Sequence, residues 1–287
     1  MFVSTYAGAV AGIDAVKVTV EVNLTGGGLG LYLVGLPDNA VKESEQRIRA
    51  AFENTGRKMS GRKVVVNLAP ADVRKEGAAF DLPIAIGLLT AAGSLRCGNL
   101  ADYMMTGELS LDGSVLPVRG ALPMAVKARE MGFKRLIVPE ANVTEAAVVN
   151  KLEVFGVSNL REVADILSGK SEMQPVKIDT RELFARRSQM FDYDFSEVKG
   201  QETVKRAFEV ACAGGHNLLM VGPPGAGKSM MAKRLPSILP PLGMAEALET
   251  TKIHSVAGKL SRGSMLMTTR PFRTPHHTVS PVALVGG

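Results

Sequence analysis

The spacing of apolar and polar residues predicts several strands and helices in the first half of the chain. Between Lys17 and Thr25 every second residue is apolar, which is typical of a strand with one buried face. Leu29–Val34 predicts a second strand after a run of glycines. Lys63–Leu68 contains three consecutive valines and predicts a fully buried strand, whereas Leu82–Ala92 is apolar enough for a buried helix. Met104–Val118 predicts a hairpin that turns at an Asp-Gly pair.

Capping residues and further periodic segments complete a first domain. Asp38 is placed to cap a helix that ends before Gly56. The remaining predicted elements alternate between helix and strand: helix Ala121–Met131, strand Arg135–Val138, a short helix near Thr144, strand Val154–Val157 and helix Asn159–Leu167. These segments predict a first domain over residues 1–168.

Residues 169–190 lose the apolar period and predict a charged linker. The second domain is expected over residues 191–287. Its predicted elements are helix Glu202–Cys212, a buried strand at Asn217–Val221, a helix from Lys228 to about Ile238 and a helix over Ala245–Val256.

A glycine-rich loop lies between the predicted strand at Asn217–Val221 and the helix that begins at Lys228. Strand, GxxxxGK[ST] loop and helix in this order are typical of a phosphate-binding loop. Its residues are Gly222, Pro223, Pro224, Gly225, Ala226, Gly227, Lys228 and Ser229. Glycines let the backbone amides surround phosphate groups, the lysine reaches the terminal phosphates, and the Ser229 hydroxyl is expected to hold Mg²⁺. We therefore predict binding of ATP with Mg²⁺.

Hydrolysis needs an acidic residue at the end of a neighbouring strand, where it positions the metal. No aspartate follows Ser229, and the later acids Glu246 and Glu249 both fall in a predicted helix. We expect a nucleotide-binding module that is truncated before its acidic (Walker B) strand. We therefore predict no catalytic residue for hydrolysis in this chain.

The composition excludes few classes of function. The formal charge of +6 is compatible with a polyanionic partner without requiring one. Cys97 and Cys212 are the two cysteines, so neither a disulfide framework nor a C-x-x-C metal site is expected, and a reducing cytoplasm fits best. No apolar run is long enough to predict a membrane span.

The second domain is similar to the start of an AAA+ module, carried by FSEVKGQETVKRAFEVACAGGHNLLMVGPPGAGKS. In that class Gly200 and Gln201 would lie near the adenine. The whole chain resembles the YifB/ComM family of magnesium-chelatase-like AAA+ ATPases. The matching segments are VEVNLTGGGLGLYLVGLPDNAVKES, VVVNLAPADVRKEGAAFDLPIAI, TGELSLDGSVLPVRG, AGGHNLLMVGPPGAGKS and RPFRTPHHTVS.

The resemblance implies an α+β domain similar to the proteolytic domain of Lon, followed by an incomplete α/β phosphate-loop domain. It also implies a homo-hexameric motor that acts on DNA, since the best-understood branch moves DNA branch points. The position matched to the Lon serine nucleophile is Ala79, after Lys75-Glu76-Gly77, and the position matched to its lysine is Leu122. A serine nucleophile needs a base, so we predict no proteolytic activity.

Two further basic segments leave alternatives open. The block around Arg270, Arg273, His276 and His277 fits a polar loop, a contact to nucleotide or DNA, or a metal site. The resemblance favours the contact. The group Arg57, Lys58, Arg62 and Lys63 fits a solvated turn or a phosphate-contacting patch.

Three functions compete with a DNA-remodelling motor. A chelatase motor subunit is opposed by the Lon-like first domain, which such motors lack. A protease is opposed by Ala79. A nucleotide-binding regulator without DNA activity would share the phosphate loop, and ATP-dependent DNA binding would distinguish the motor from it.

Overall fold

The computed structural model describes residues 1–26, 28, 30–187, 191–260, 265–276, 278–280 and 282. The chain divides into two compact units. The first comprises Met1–Thr180 and Glu249–Leu266, and the second comprises Arg181–Leu248 and Met267–Gly287. Within the described ranges, no helix has both the length and the apolar character needed to cross a bilayer.

Strands occur in the first unit. They are β1 (Phe2–Ala11), β2 (Asp14–Thr25), β3 (Gly30–Val34), β4 (Lys63–Ala69), β5 (Tyr103–Met105), β6 (Glu108–Leu109), β7 (Val115–Leu116), β8 (Arg135–Pro139) and β9 (Glu153–Val157). The helices are α1 (Asn39–Lys42), α2 (Ser44–Asn54), α3 (Asp81–Ala91), α4 (Ala121–Glu130), α5 (Val143–Ala146), α6 (Leu160–Leu167), α7 (Thr180–Arg187), α8 (Glu202–Gly214), α9 (Lys228–Arg234) and α10 (Met244–Val256).

The larger sheet of the first unit has the strand order β1-β2-β4-β3. β1, β2 and β4 are antiparallel neighbours, and β3 is parallel to β4. The side chains alternate, so one face of β2 and β4 is buried, including Val20, Val22, Val66 and Leu68. α3 packs on this face at Gly87, where an added Cβ would lie 2.6 Å from Val22. Helix and sheet therefore share one aliphatic core.

The smaller sheet, β5-β8-β9, is parallel, and β6 and β7 form a separate two-stranded hairpin. Next to the hairpin of β6 and β7, a buried ion pair joins α2 to α3. The Arg47 Nε donates to Asp81 Oδ2 at 2.6 Å, and its Nη2 donates to Asp81 Oδ1 at 3.0 Å. The Asp81 carboxylate also accepts from the backbone N–H of Leu109 at 3.2 Å. Three donors therefore satisfy a carboxylate that is fully buried.

The structure confirms most elements predicted in the first unit, but three details differ. β1 was not predicted, because its buried positions are mostly small residues that give a weak apolar pattern. Val65 is only partly buried, since β4 alternates like a sheet with one covered face. The predicted hairpin over Met104–Val118 is shorter, because Tyr103–Met105 pairs with β8 instead.

The expected linker over 169–190 is partly ordered against the first unit. The backbone N–H of Val176 donates to Val154 O at 2.8 Å, and the Thr180 hydroxyl donates to Val148 O at 2.8 Å. α7 then begins at Thr180. The linker therefore contains both a strand-like pairing and a helix.

The second unit differs more from expectation. The predicted buried strand at Asn217–Val221 is absent, and Leu219 and Val221 are 87% and 89% exposed. A strand needs a neighbour to satisfy its backbone groups, and no strand occurs among the described residues of this unit. A small core forms elsewhere, around Phe195, Phe208 and Met231, with α8 and α9 contributing.

Candidate nucleotide-binding site

The glycine-rich loop leads directly into α9. Gly225 and Gly227 have φ values of 79° and 82°, in the left-handed region that favours glycine. Gly227 is the residue before the helix, and its carbonyl accepts from Met231 N–H at 2.9 Å. The two glycines thus allow the turn that places Lys228 and Ser229 at the first positions of the helix.

The Lys228 ammonium points back into the loop. Its Nζ donates to the carbonyl oxygens of Gly222 and Pro223, both at 2.7 Å. The side chain is therefore held over the loop backbone, where the phosphate groups of a nucleotide would be expected.

Gln201 lies beside this loop. Its side-chain nitrogen is 4.0 Å from the position that a Cβ on Gly227 would occupy. Gly200 and Gln201 have φ values of 63° and 58°, so the chain turns sharply before α8 begins. The segment expected near the adenine is therefore brought next to the phosphate loop.

The loop residues fit ATP and Mg²⁺ sterically and electrostatically. A Cβ at Gly225 would meet nothing within 4 Å, and one at Gly222 would meet only the Ala226 side chain, at 3.8 Å. Open space in front of an exposed glycine backbone allows phosphate oxygens to approach closely. Lys228 supplies positive charge, and the exposed Ser229 supplies a hydroxyl of the type that coordinates Mg²⁺ in such loops.

The arginine–histidine block lies in the second unit as well. Arg270 is half-buried: its Nε donates to Pro240 O at 2.9 Å, and its Nη2 is 3.6 Å from Glu246 Oε2. Arg273 and His276 are exposed, and the His276 Nδ1 is 2.8 Å from the Thr278 hydroxyl. His277 lies outside the described residues. Within those residues, no group of three or more histidine, cysteine or acidic side chains could hold a metal ion.

A cavity of about 600 Å³ in the first unit is lined by Ala79, the position matched to the Lon serine, and α4 contributes Met124 to its lining. Leu122, the position matched to the Lon lysine, is completely buried and is absent from the described lining, in which Met124 is the residue that α4 contributes. The described lining contains no serine, threonine, cysteine or lysine. It does contain two acidic residues and one arginine: Glu76, Glu108 and Arg119. The sequence had named Glu76 only as part of the Lys75-Glu76-Gly77 segment, and it did not single out Glu108 or Arg119.

Three buried ionisable groups lie in the first unit. Burial raises the pKa of Asp81 above its usual value, although Arg47 opposes the change. Burial also raises the pKa of Glu145, whose Oε1 accepts from Asn142 at 2.6 Å. Burial lowers the pKa of Lys75, whose ammonium donates to Pro70 O. We assign the three groups structural roles within the first unit.

Comparisons with known proteins match both units. Residues 20–142 match the family described as "Subunit ChlI of Mg-chelatase", and residues 194–287 match "Magnesium chelatase, subunit ChlI". The uncharacterised protein YifB of Escherichia coli is 41% identical over 280 residues, which are 97% of this chain and 54% of that protein. The competence protein ComM of Haemophilus influenzae is 40% identical over 283 residues, 98% of this chain and 55% of that protein.

A Lon protease of Salinispora arenicola is 27% identical over 186 residues, 61% of this chain and 23% of the protease. The chain thus spans about half the length of the YifB and ComM relatives and a smaller part of Lon. Identity that extends over nearly the whole chain, together with two chelatase-family matches in sequence order, settles the family. The chain belongs to the YifB/ComM family of magnesium-chelatase-like AAA+ ATPases.

Proposed function

We propose that this chain is the ATP-binding part of an AAA+ motor that acts on DNA. The observation that carries the proposal is the loop from Gly222 to Ser229, which turns at two left-handed glycines and places Lys228 at the start of α9. The family match over residues 194–287 supports the nucleotide and Mg²⁺ as its ligands.

Each loop residue has a distinct role in this proposal. The glycines keep space open for phosphate, and the Lys228 ammonium exchanges the carbonyls of Gly222 and Pro223 for phosphate oxygens. Ser229 holds Mg²⁺, and Gly200 and Gln201 contact the base. In the whole protein, bound ATP would supply the free energy that drives movement.

Titration of a fluorescent ATP analogue in the presence of Mg²⁺ tests the loop. We expect Lys228→Ala to abolish measurable binding, because the variant lacks the charge opposite the phosphates. Lys233→Ala is the matched control: it removes an exposed lysine of the same helix about 7.5 Å further along the axis. Equal affinities for Lys228→Ala and the unaltered chain would refute the assignment.

DNA as the substrate and a hexamer as the working assembly are proposals about the whole protein. Their support is the relationship to a competence protein, since competence denotes the uptake of DNA, and the positive charge of the chain. We propose that Arg270, Arg273, His276 and His277 contribute contacts to DNA or to nucleotide. In the whole protein, replacing Arg270 and Arg273 by alanine should lower DNA affinity for all sequences if they contact phosphate. A loss of ATP affinity or of assembly instead would place them at the nucleotide.

A chelatase-type motor subunit is the second candidate. The first domain was expected to argue against it, but residues 20–142 themselves match a family named for a chelatase subunit. The first domain therefore does not separate the two functions. ATPase activity of the whole protein that DNA stimulates would favour the DNA motor, whereas stimulation by a porphyrin and its partner subunits would favour the chelatase.

A further inference from the structure

A basic groove of about 770 Å³ lies in the first unit, where the strands β8 and β9 begin. Three segments of the chain line it: the turn from α4 into β8, the start of β9, and the segment around Val176, which pairs with β9. We call it the β8–β9 groove. Its charged lining residues are Arg129, Lys134, Arg135, Lys151, Glu153 and Lys177.

Positive charge exceeds negative charge in this groove. The acid Glu153 is paired with Arg135 at 2.8 Å, and Lys134 lies 3.1 Å from Asp102. Arg129, Lys151 and Lys177 are exposed, and none of them forms a salt bridge within the described part of the chain. Three cations are thus available to an external anion.

Lys151 has a φ of 64°, which is unusual for any residue other than glycine, asparagine or aspartate. This turn buries Leu152 and leaves the Lys151 side chain exposed at the groove. A glycine would adopt the same backbone more easily. The turn alone therefore does not explain why a lysine occupies position 151, whereas a function for its positive charge would explain it.

The shape and surface of the groove select the kind of anion. The three cations come from separate segments: Arg129 is on α4, Lys151 lies just before β9, and Lys177 follows Val176, which pairs with β9. Adjacent rows of a sheet lie about 4.8 Å apart, so the groove offers several anchoring points and not a single phosphate pocket. A nucleic-acid strand, which carries a phosphate about every 3.4 Å along its axis, can meet several such points at once. Phe133 and Leu152 are each 92% buried, so neither of these large apolar side chains is exposed enough to anchor a peptide or to insert into a membrane.

We infer that the β8–β9 groove binds the phosphate backbone of DNA, through Arg129, Lys151 and Lys177. The inference rests on the proposed action on DNA and adds to it a contact surface on the first domain. It gives this domain a role that does not need a proteolytic site. Such contacts hold and orient DNA without reading its sequence.

Fluorescence anisotropy of a labelled DNA duplex, measured with the 287-residue chain at several salt concentrations, tests the inference. The groove variant combines Arg129→Gln, Lys151→Gln and Lys177→Gln. The control variant combines Lys42→Gln, Arg96→Gln and Lys170→Gln, which removes the same number of lysine and arginine charges from exposed sites of the first unit outside the groove. Circular dichroism and binding of a fluorescent ATP analogue report whether each variant is folded.

We expect the groove variant to lose affinity and its plot of log affinity against log salt to become shallower by about two to three units. This corresponds to about 0.9 per phosphate contact. The control variant should retain most of the affinity and the slope. Duplexes of unrelated sequence should give the same result.

Other outcomes overturn the inference in distinguishable ways. If the groove variant binds DNA as the unaltered chain does, the groove is not the contact, while the proposed action on DNA stands. An equal loss in the control variant would assign binding to the general positive charge of the chain. Absence of DNA binding by an unaltered chain that still binds the ATP analogue would overturn the inference, because the groove lies within this chain, and would leave the proposed action of the whole protein on DNA standing. Polyglutamate or anionic vesicles that compete as well as DNA at equal charge would show that the groove accepts any polyanion.

Discussion

Two apolar segments of similar length have opposite environments in this protein. β4 lies between β2 and β3, and its Val64, Val66 and Leu68 are at most 2% exposed. Residues 217–221 carry the same kind of aliphatic sequence, yet Leu219 and Val221 are almost fully exposed. Apolar sequence alone therefore does not make a strand. β4 has partners on both edges, whereas the described residues of the second unit provide none for residues 217–221.

The two units differ in what their residues are expected to contribute: folding stability in the first unit and ligand binding in the loop of the second. In the first unit, the buried Asp81 carboxylate finds its donors within the fold, in Arg47 and in the backbone N–H of Leu109. The second unit holds the phosphate loop on a small core, with an exposed apolar segment on its N-terminal side. Substitutions in the first unit should thus change the free energy of unfolding, and substitutions in the loop should change ligand binding.

The largest effect is expected for Asp81→Ala. It leaves Arg47 without its buried partner, and such losses cost about 3–5 kcal/mol. Urea denaturation followed by circular dichroism measures the change. The control, Glu45→Ala, breaks the exposed pair with Arg49 and should cost less than about 1 kcal/mol. Similar losses in the two variants would contradict the role given to the buried pair.

A pair of identical substitutions tests the comparison of apolar segments directly. Leu68→Ala should cost about 2–5 kcal/mol, because it opens a cavity in the core. Leu219→Ala should change the free energy of unfolding by less than about 0.5 kcal/mol, since its side chain is exposed. Thermal unfolding of both variants measures the difference. A large loss from Leu219→Ala would show that residues 217–221 are buried in solution.

A smaller, pH-dependent effect is expected at Glu145. Burial raises its pKa in the folded state, so above the ordinary glutamate pKa of about 4.3 the unfolded chain loses the proton first. Stability then falls as the pH rises, up to the raised folded pKa. Glu145→Gln should therefore stabilise the chain at pH 8 and leave it unchanged near pH 4. Denaturation midpoints at the two pH values measure this, and an equal effect at both would rule out titration of Glu145.

No enzymatic turnover is expected from either unit of this chain. Residues 230–287 contain no aspartate to complete a Mg²⁺ site, and the cavity beside Ala79 has no nucleophile in its described lining. Phosphate release from ATP and cleavage of unfolded casein should both match a blank. ATP turnover that Lys228→Ala abolishes, or casein cleavage that a substitution at Gly77 or Met124 abolishes, would contradict this expectation.

The sequence predicted the elements whose signals are local. Asp38 caps α1 by accepting from Val41 N–H at 2.8 Å, and Asn159 caps α6 in the same way at 3.0 Å. The glycine turn and the start of α9 at Lys228 also follow the local sequence, because the loop residues are contiguous. Nucleotide binding by this loop stays a prediction. Features that depend on distant partners were missed. The buried positions of β1 are mostly small residues, which β2, α3 and α4 cover. No sequence signal showed that Met124, and not Leu122, lines the cavity at Ala79.

The β8–β9 groove was missed for the same reason. Its cations lie between residues 129 and 177, too far apart to form a basic run in the sequence, and strand pairing brings them together. The patch at Arg57, Lys58, Arg62 and Lys63 was noticed because its residues are contiguous. Proximity in the sequence therefore favoured one basic group over another that only the fold assembles.

The two carbonyls that hold Lys228 have a consequence for how nucleotides compete for this loop. The carbonyl oxygens of Gly222 and Pro223 already accept hydrogen bonds from the Lys228 ammonium at 2.7 Å. A ligand that binds this ammonium must therefore replace them as its acceptors. The dissociation constant then reflects the difference in free energy between the hydrogen bonds of the ammonium to the ligand and its hydrogen bonds to the two carbonyl oxygens. Ligands that offer strongly charged oxygens at the lysine gain most from this exchange, and neutral ligands gain little. In the proposed nucleotide site, the loop would therefore discriminate among ligands by the charge of their terminal phosphates.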